Sequence, residues 1–407
     1  MTAGIEALNV YCGLAQIPVP ALFEGRGLDP ERLGNLMMEN RSVGLPFEDP
    51  VTNAVNAAAP IVDPSDRIEI VITSTESGLD YSKSVASYVH EYLGLPSTCR
   101  VIEVKQACYA ATAAVQMAAA YVASGISPGA KVLVIATDVA LVDERAGYSE
   151  PAVGFGAAAV LISDDPRVLA LDLGAFGNHS YETMDSARPA PSFDIADSDR
   201  SLFAYLDCLT NCFTAYRARV DDVDFATTFD HLAMHTPFAG MVKAAHRKLM
   251  REFAGSGLAE AEEDFGRRVL PSLTYPSRVG NLCSGSVYLA LASLIDTVQP
   301  DETRRVGLYS YGSGCSSEFF SGLIDRESTE AIAARRIGDH LTGRAEITFD
   351  EYAKVLPMNL TCLLPERNRT VDVGAYEHIV RRARFDRDLL VNTGTKDFHR
   401  TYEWLSP

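Results

Sequence analysis

Apolar and polar positions follow two rhythms in the first half of the chain. Short, nearly continuous apolar runs recur at 67–73 (RIEIVIT), 100–104 (RVIEV), 131–136 (KVLVIA) and 157–162 (AAAVLI). Runs of this length, most of them rich in Val and Ile, predict buried strands. Between them lie stretches with helical spacing: 84–93 (SVASYVHEYL), closed by Gly94, and 108–124, closed by Gly125. Glycine just past a helical run is a stop signal. Strands alternating with helices predict an α/β sheet with helices on its faces.

The rhythm dissolves from 174 to 201, where GNHS, ARPAPS and DIADSDRS are polar and rich in turn formers. A loop that long inside an enzyme predicts an active-site cover. Helices are predicted near 201–219 and 238–253, with a surface insertion between them and the next element at 255–263 (GSGLAEAEE). Another buried strand, 304–311 (RRVGLYSY), runs into GSG. The tail beyond it is more charged, and its RRARFDR segment (381–387) reads as a solvated face.

Composition narrows the class. The 407 residues, at roughly 150 per domain, allow two or three domains or one large duplicated one. An apolar share of 47% rules out wholesale disorder, and a chain this long buries a core without help from disulfides or metals. The charge balance, 36 basic against 54 acidic residues for a net −18, disfavours nucleic acid as a partner. No run of about 18 uncharged apolar residues predicts a membrane span. The start, MTAGIEALNVYCG, has neither the basic region nor the apolar core of a signal peptide. Eight cysteines without a CxxC predict free thiols in a reducing cytoplasm.

Three residues stand out chemically. In EVKQACYAAT (103–112) a strand runs straight into Cys108, where a helix of small residues begins. A thiol at a helix N-terminus faces the positive end of the macrodipole, which favours the nucleophilic thiolate. The alternative is a small buried cysteine on a core helix. Glu76, in TSTESGLDYSKS (73–84), follows a predicted strand at its C-terminal edge, where catalytic groups collect in α/β sheets. An acid complementing a helix dipole would sit there too. His235 opens HTPFAG with Pro237 close behind, so it belongs to a loop just before a helix, either as a hydrogen-bonded core residue or as a general acid/base. Its spacing of four from His231 could suit a metal, but the Glu of HExxH is missing and no metal site is expected.

Beyond His235, Lys243, Arg247, Lys248 and Arg251 fall in nine residues with no acid among them. In so acidic a protein this reads as a landing patch for an anion such as a phosphate, a pantetheine arm or an acidic protein, or else as a plain basic surface helix. VGNLCSGS (279–286) and YSYGSGCSSEF (309–319) imply close backbone approach. No Walker loop, GxSxG or GxGxxG is present, so nucleotide cofactors are not indicated.

Taken together, EVKQACYAAT, TSTESGLDYSKS, HTPF, GNLCSGS and YGSG resemble the hydroxymethylglutaryl-CoA synthase family, in the family's order and over roughly residues 1–322. NVYCGLA (9–15), LPFEDPVT (45–52), FAYLDC (203–208) and HTPFAGMVKAAHR are similar to the branch that installs β-branches in polyketide assembly lines. The resemblance implies a thiolase-like fold of two related βαβαβαββ halves in αβαβα layers, with halves at 1–170 and 171–407, usually dimeric. It places the catalytic cysteine on Cys108, the glutamate on Glu76 and the histidine on His235. It places substrate-binding positions on Asn281, Ser313 and Ser201, and carrier-protein docking on Arg26, Asp207, Arg247 and Arg251. It implies no cofactor and no metal.

The implied reaction is an acyl transfer followed by carbon–carbon bond formation. Cys108 takes acetyl from a donor acyl carrier protein. Glu76 removes a proton from the acetyl methyl, and the enolate adds to the β-ketone of a polyketide on an acceptor carrier protein. His235 donates a proton or hydrogen bond to the new alkoxide, and water frees the product. CoA-using members carry lysines five and nine residues after the histidine, where this chain has Gly240 and Ala244. They also carry a tyrosine where this chain has Val142, with Tyr148 as a stand-in. The missing lysines weaken CoA phosphate binding and favour a carrier-protein donor; the tyrosine's role is either dispensable or taken by another residue. The rivals are a CoA-dependent synthase of primary metabolism, a type III ketoacyl synthase and a non-catalytic scaffold that binds carrier proteins.

Overall fold

The computed structural model describes residues 2–139, 141 and 149–407. Eleven strands organise the site. They are β1 (Gly4–Tyr11), β2 (Ile68–Ser74), β3 (Arg100–Val104), β4 (Lys131–Val139), β5 (Phe155–Ser163) and β6 (Leu169–Ser180), then β7 (Ser186–Ala190), β8 (Phe193–Ala196), β9 (His231–Met234), β10 (Arg304–Gly312) and β11 (Ser316–Ile324). All but β7 and β8 form one sheet, in the order β9-β10-β11-β6-β1-β5-β4-β2-β3. The apolar runs of the first half became β2 to β5 within a residue or three of their predicted ends. Lys131–Val139 and Phe155–Ser163 are buried on both faces, which is why they read as continuous rather than alternating.

The sheet has two wings. β1 to β5 make one, and β6 with β9 to β11 the other. They meet where Gly4 and Ile5 pair with Ala170 and Leu169. Two helices, α3 (Ala110–Ala123) and α7 (Ser286–Val298), lie between the wings and share one apolar core with both. The alanines of α3 let it sit close to its neighbours. The outer face of the first wing is covered by α1 (Pro50–Ala58) and α2 (Val85–Tyr92). The outer face of the second is covered by α4 (Ser198–Arg219) and α5 (Ala239–Phe253). These are the alternating helix and sheet layers that the resemblance implied. The last strands, Asn368–Thr370, Leu389–Lys396 and His399–Leu405, form a separate small sheet whose Leu390 and Tyr402 pack on the outer layer of the first wing.

Two predicted loops are ordered elements. Residues 174–201 contain the end of β6 and the hairpin β7–β8. β6 was hidden by its glycines, yet Gly177 is required there. A Cβ on it would come within 2.2 Å of backbone atoms of Cys212 and Tyr216, so the bare backbone lets α4 press onto the strand. Pro189 lies within β7, which is tolerable because the hairpin pairs on one side only. The supposed insertion at 255–263 starts α6 (Leu258–Arg268), which buries Ala261, Phe265 and Arg268. Within 381–387 the solvated face holds for Arg381, Arg382, Arg384 and Asp386, which are exposed.

Candidate active site

Cys108 sits in the turn between β3 and α3, not on the helix. Ala107 before it has φ +43°, in the left-handed region that a side chain enters only when its surroundings impose it. Gln106 and Cys108 form a bridge, and the Tyr109 N–H donates to the Gln106 carbonyl at 3.1 Å. The end of β10 packs against this turn. A Cβ on Gly312 would meet the Tyr109 nitrogen at 2.5 Å and the Gln106 oxygen at 2.6 Å. The Gln106 Nε2 reaches the Ser313 carbonyl at 3.4 Å.

Glu76 follows β2 in the turn 75–77. Its side chain accepts a hydrogen bond from Cys108 Sγ at 3.0 Å. The two sequence candidates, 32 positions apart, are therefore in contact. The expected thiolate is corrected by this geometry. The neighbouring Cys283 thiol, its sulfur within 4.8 Å, draws the Cys108 pKa down, but burial and the Glu76 carboxylate outweigh it, leaving the thiol pushed up to about 12. The helix that was to stabilise the anion begins two residues later, at Ala110, so its dipole does not prevail. Cys108 rests as a thiol hydrogen-bonded to Glu76.

The turn carrying Glu76 is clamped by Asp138 at the end of β4. Asp138 Oδ1 accepts from the Glu76 N–H at 2.7 Å, Thr75 Oγ1 at 3.1 Å and Ser77 Oγ at 3.2 Å. Burial and the neighbouring Glu76 charge hold the Asp138 carboxyl well above the usual carboxylate range. Arg188 of β7 reaches in from above. It donates to Ser77 Oγ at 3.0 Å and pairs with Asp194 of β8 at 2.6 Å. The predicted cover is thus a hairpin fastened to the base's own turn. A second fastening is the fully buried Asp185, which accepts from Tyr311 Oη at 2.6 Å, the Gly314 N–H at 2.8 Å and Ser201 Oγ at 3.4 Å.

His235 lies one residue past β9, in the predicted loop before α5. Its N–H donates to the Tyr309 carbonyl at 2.7 Å, and its own carbonyl accepts from Tyr205 Oη at 2.8 Å. Its ring stands 6.3 Å from that of Tyr205 and 6.4 Å from that of Tyr311, the residue before Gly312. Burial lowers its pKa to about 3. The imidazole is therefore neutral in ordinary buffers, and of the two roles expected for it, hydrogen-bond donation is the one it can fill.

Asn281 is anchored by its backbone to Ala152 at 2.8 Å and Gly154 at 2.9 Å. Its Oδ1 accepts from the Cys283 N–H at 2.9 Å and from Ser286 Oγ at 2.7 Å. Among the described residues, one group of ligand-type side chains converges closely enough to hold a metal: Glu76, Cys108 and Cys283, with their ligand atoms within 4.8 Å of one another. His231, weighed as a metal partner of His235, is on β9 rather than a helix.

Arg26 is held by the buried Glu150 through two hydrogen bonds of 2.9 Å. Asp207 on α4 and Arg251 on α5 are exposed. The basic patch of α5 is a different object from the one expected. Lys243 and Arg247 pair with Glu262 of α6, and Lys248 with Glu252. The acids missing from the segment come mostly from the neighbouring helix. Arg251 alone of the four basic residues makes no salt bridge among the described residues. Val142 and Tyr148 lie outside the described residues.

Sequence reasoning missed Asp138, Arg188 and Cys283. Asp138 carried a signal, an acid closing an apolar strand. Arg188 carried none in a loop-like stretch, and Cys283 was concealed in a Gly-Ser loop.

The chain matches the families described as hydroxymethylglutaryl-coenzyme A synthase N terminal, over residues 59–167, and C terminal, over residues 251–364. It is 43% identical over 420 residues to the polyketide biosynthesis 3-hydroxy-3-methylglutaryl-ACP synthase PksG of Bacillus subtilis (strain 168), covering 100% of both chains. It is 34% identical to the hydroxymethylglutaryl-CoA synthase of Enterococcus faecalis, covering 86% of this chain and 91% of the other. The curacin biosynthetic pathway HMG synthase, solved in complex with acetyl donor-ACP, superposes with a TM-score of 0.96 at 44% identity and 100% coverage of both chains.

Proposed function

The chain belongs to the hydroxymethylglutaryl-CoA synthase family, and we propose that it is a polyketide β-branching 3-hydroxy-3-methylglutaryl synthase acting on carrier-protein thioesters. Its fold is thiolase-like. The observation that carries the chemistry is the 3.0 Å hydrogen bond from Cys108 Sγ to Glu76. Full-length similarity to the PksG synthase, together with Gly240 and Ala244 where CoA-using members carry lysines, supports a carrier protein as donor.

Glu76 takes the Cys108 proton as the sulfur attacks the acetyl thioester. The carrier thiol leaves with that proton, and Glu76 is a carboxylate again. It next removes a proton from the methyl group of the acetyl-enzyme. The enolate adds to the β-ketone of the polyketide on the acceptor carrier protein. The neutral imidazole of His235 donates a hydrogen bond to the forming alkoxide, which takes up the proton held by Glu76 to become the hydroxyl and leaves Glu76 a carboxylate again. Hydrolysis of the Cys108 thioester releases the product. Asn281, Ser313 and Ser201 border the substrate path, and no step requires a cofactor.

Residues 1–170 supply the nucleophile and base, and residues 171–407 the histidine and asparagine, as two halves of one catalytic unit. Asp207, Arg247 and Arg251 form the carrier-docking face, with Arg26 set apart by its pairing to Glu150. The working form is a cytoplasmic homodimer. Among the described residues, no helix is long and apolar enough to cross a membrane. Intact-protein mass spectrometry after mixing with acetyl-carrier protein, and separately with acetyl-CoA, tests the proposal. One acetyl group on Cys108 from the carrier and little from CoA is expected. Faster loading from CoA would turn the assignment to a CoA-dependent synthase.

A further inference from the structure

A second thiol stands beside the nucleophile. The sulfurs of Cys283 and Cys108 and a Glu76 carboxylate oxygen lie within 4.8 Å of one another. Cys283 is held there against its backbone preference. Its φ is +49°, a region a glycine would occupy without cost. The surroundings fix it. Asn281 Oδ1 takes its N–H at 2.9 Å, and Asn281 is itself bolted to the 152–154 segment. Ser286 Oγ closes the turn by donating to Asn281 Oδ1 at 2.7 Å and accepting the Leu282 N–H at 2.8 Å. A strained, buried position that keeps a side chain aimed at a reacting atom is what functional sites do with strain.

We propose that Cys283 is a catalytic residue of the acetyl-loading step, donating its S–H to the Cys108 sulfur as that sulfur gives its proton to Glu76. The inference rests on the reading of Cys108 as the acetyl acceptor. The Cys108 S–H bond breaks and its proton passes to the Glu76 carboxylate. The Cys108 sulfur bonds the acetyl carbon, the bond from that carbon to the carrier's sulfur breaks, and the proton on Glu76 goes to the departing thiolate. Cys283 keeps its proton throughout. Beside Cys283 the Cys108 pKa is drawn down, while that of Cys283 is pushed well above the ordinary range, so Cys283 is the member of the pair that stays a thiol. Once Cys108 is a thioester its sulfur is a poor acceptor, so the assistance is specific to steps in which that sulfur bears charge. The neighbouring charged groups among the described residues are Glu76, Asp138 and Arg188; Asp138 is committed to the Glu76 turn, and Arg188 to Ser77 and Asp194.

The test compares wild type with Cys283→Gly and Cys283→Ser in the full-length protein. Glycine suits the positive φ, so it deletes the thiol without adding strain, and serine restores a donor. Two rates are read at neutral pH: acetylation of Cys108 by acetyl-carrier protein, and its alkylation by iodoacetamide, which needs no substrate. Loss of one hydrogen bond to a charged sulfur should slow both about tenfold in Cys283→Gly, with Cys283→Ser recovering most of the rate. Alkylation of Cys108 in Cys283→Gly at or above the wild-type rate overturns the inference. Failure of the wild type to acetylate, with alkylation slowed as expected, overturns the functional reading and leaves the role of Cys283 toward the sulfur standing.

Discussion

One carboxylate oxygen of Asp138 takes the backbone N–H of Glu76 at 2.7 Å, so the group that fixes the base in place sits on the adjacent strand β4. The same oxygen takes two hydroxyls from the residues flanking Glu76. Asp138→Ala leaves the Glu76 N–H and the Thr75 hydroxyl unanswered in a buried turn, while the Ser77 hydroxyl keeps the Val139 carbonyl at 3.0 Å. We expect a stability loss on the order of 2–3 kcal/mol, read by urea unfolding, because an orphaned buried donor costs its desolvation. Acetyl loading should fall with it. Asp138→Asn keeps one carbonyl acceptor and should lose less on both counts.

Glu76 acts on Cys108 in two opposed ways, as the acceptor of its proton and as a negative charge that discourages ionisation. Glu76→Gln removes the charge, so the Cys108 pKa must fall from about 12 and the thiolate fraction at a given pH must rise. Iodoacetamide should therefore label Cys108 faster in Glu76→Gln than in wild type between pH 7 and 8, read by peptide mass mapping. Condensation should be abolished, since the amide cannot take the methyl proton. Slower labelling in the variant would mean that the carboxylate is not what holds the proton on the sulfur. Cys108→Ala should carry no acetyl group at all.

Arg188 pins the hairpin β7–β8 to Ser77 and, by pairing with Asp194, ties its two strands together. Arg188→Ala removes both attachments. Limited proteolysis within residues 181–197 should then be several-fold faster than in wild type, because local opening exposes the hairpin. Loading should slow as the Glu76 turn loosens. Unchanged cleavage and loading would leave the hairpin without a latch function.

Asp264 bridges His246 and the fully buried Arg268. Burial raises its pKa, but the hydrogen bonds from His246 and Arg268 outweigh that and hold it at about 2. A carboxylate depressed in this way stabilises the fold above its unfolded pKa, about 4. That stability drains away as the pH falls from there through about 2. Asp264→Ala strands a buried guanidinium and should cost about 3–5 kcal/mol in denaturant unfolding near neutral pH. The variant should also lose the part of the acid transition that Asp264 contributes.

Arg251 is the exposed cation of the proposed docking face that lacks a salt bridge among the described residues. Arg251→Glu should weaken loading from the acidic carrier protein strongly and leave turnover of a short acetyl-pantetheine thioester near wild type. The wild-type loading rate should fall with added salt, as steered encounters do. An equal effect of the substitution on both donors would argue against docking.

Strands buried on both faces were legible because desolvation leaves no polar residue to break the run, as in Lys131–Val139. Helix α6 was not, because Asp264 and Arg268 mimic a solvated face while spending their charge on each other inside the protein. The basic patch looked freer of acids than it is for a related reason. Charge counted along one segment does not reveal Glu262 arriving from the next helix. Cys108 and Glu76 each had a local signature, but their contact follows from β2 and β3 lying side by side, and pairing of distant strands is not written in local spacing. The thiolate was misjudged because the helix's first turn was placed two residues too early. Cys283 announced itself only as part of a Gly-Ser loop, since a left-handed backbone at a non-glycine residue is invisible before folding.

Gly312 meets the nucleophile's turn with nothing but hydrogen on its α-carbon, backbone against backbone. A lone methyl inserted there acts as a wedge between the two wings at the one spot where they share the reaction. Gly312→Ala should yield a silent version of the protein, every reactive group present and the outer surface untouched. Such a decoy would still capture carrier proteins, and what it failed to do would measure how much of the chemistry depends on alignment alone.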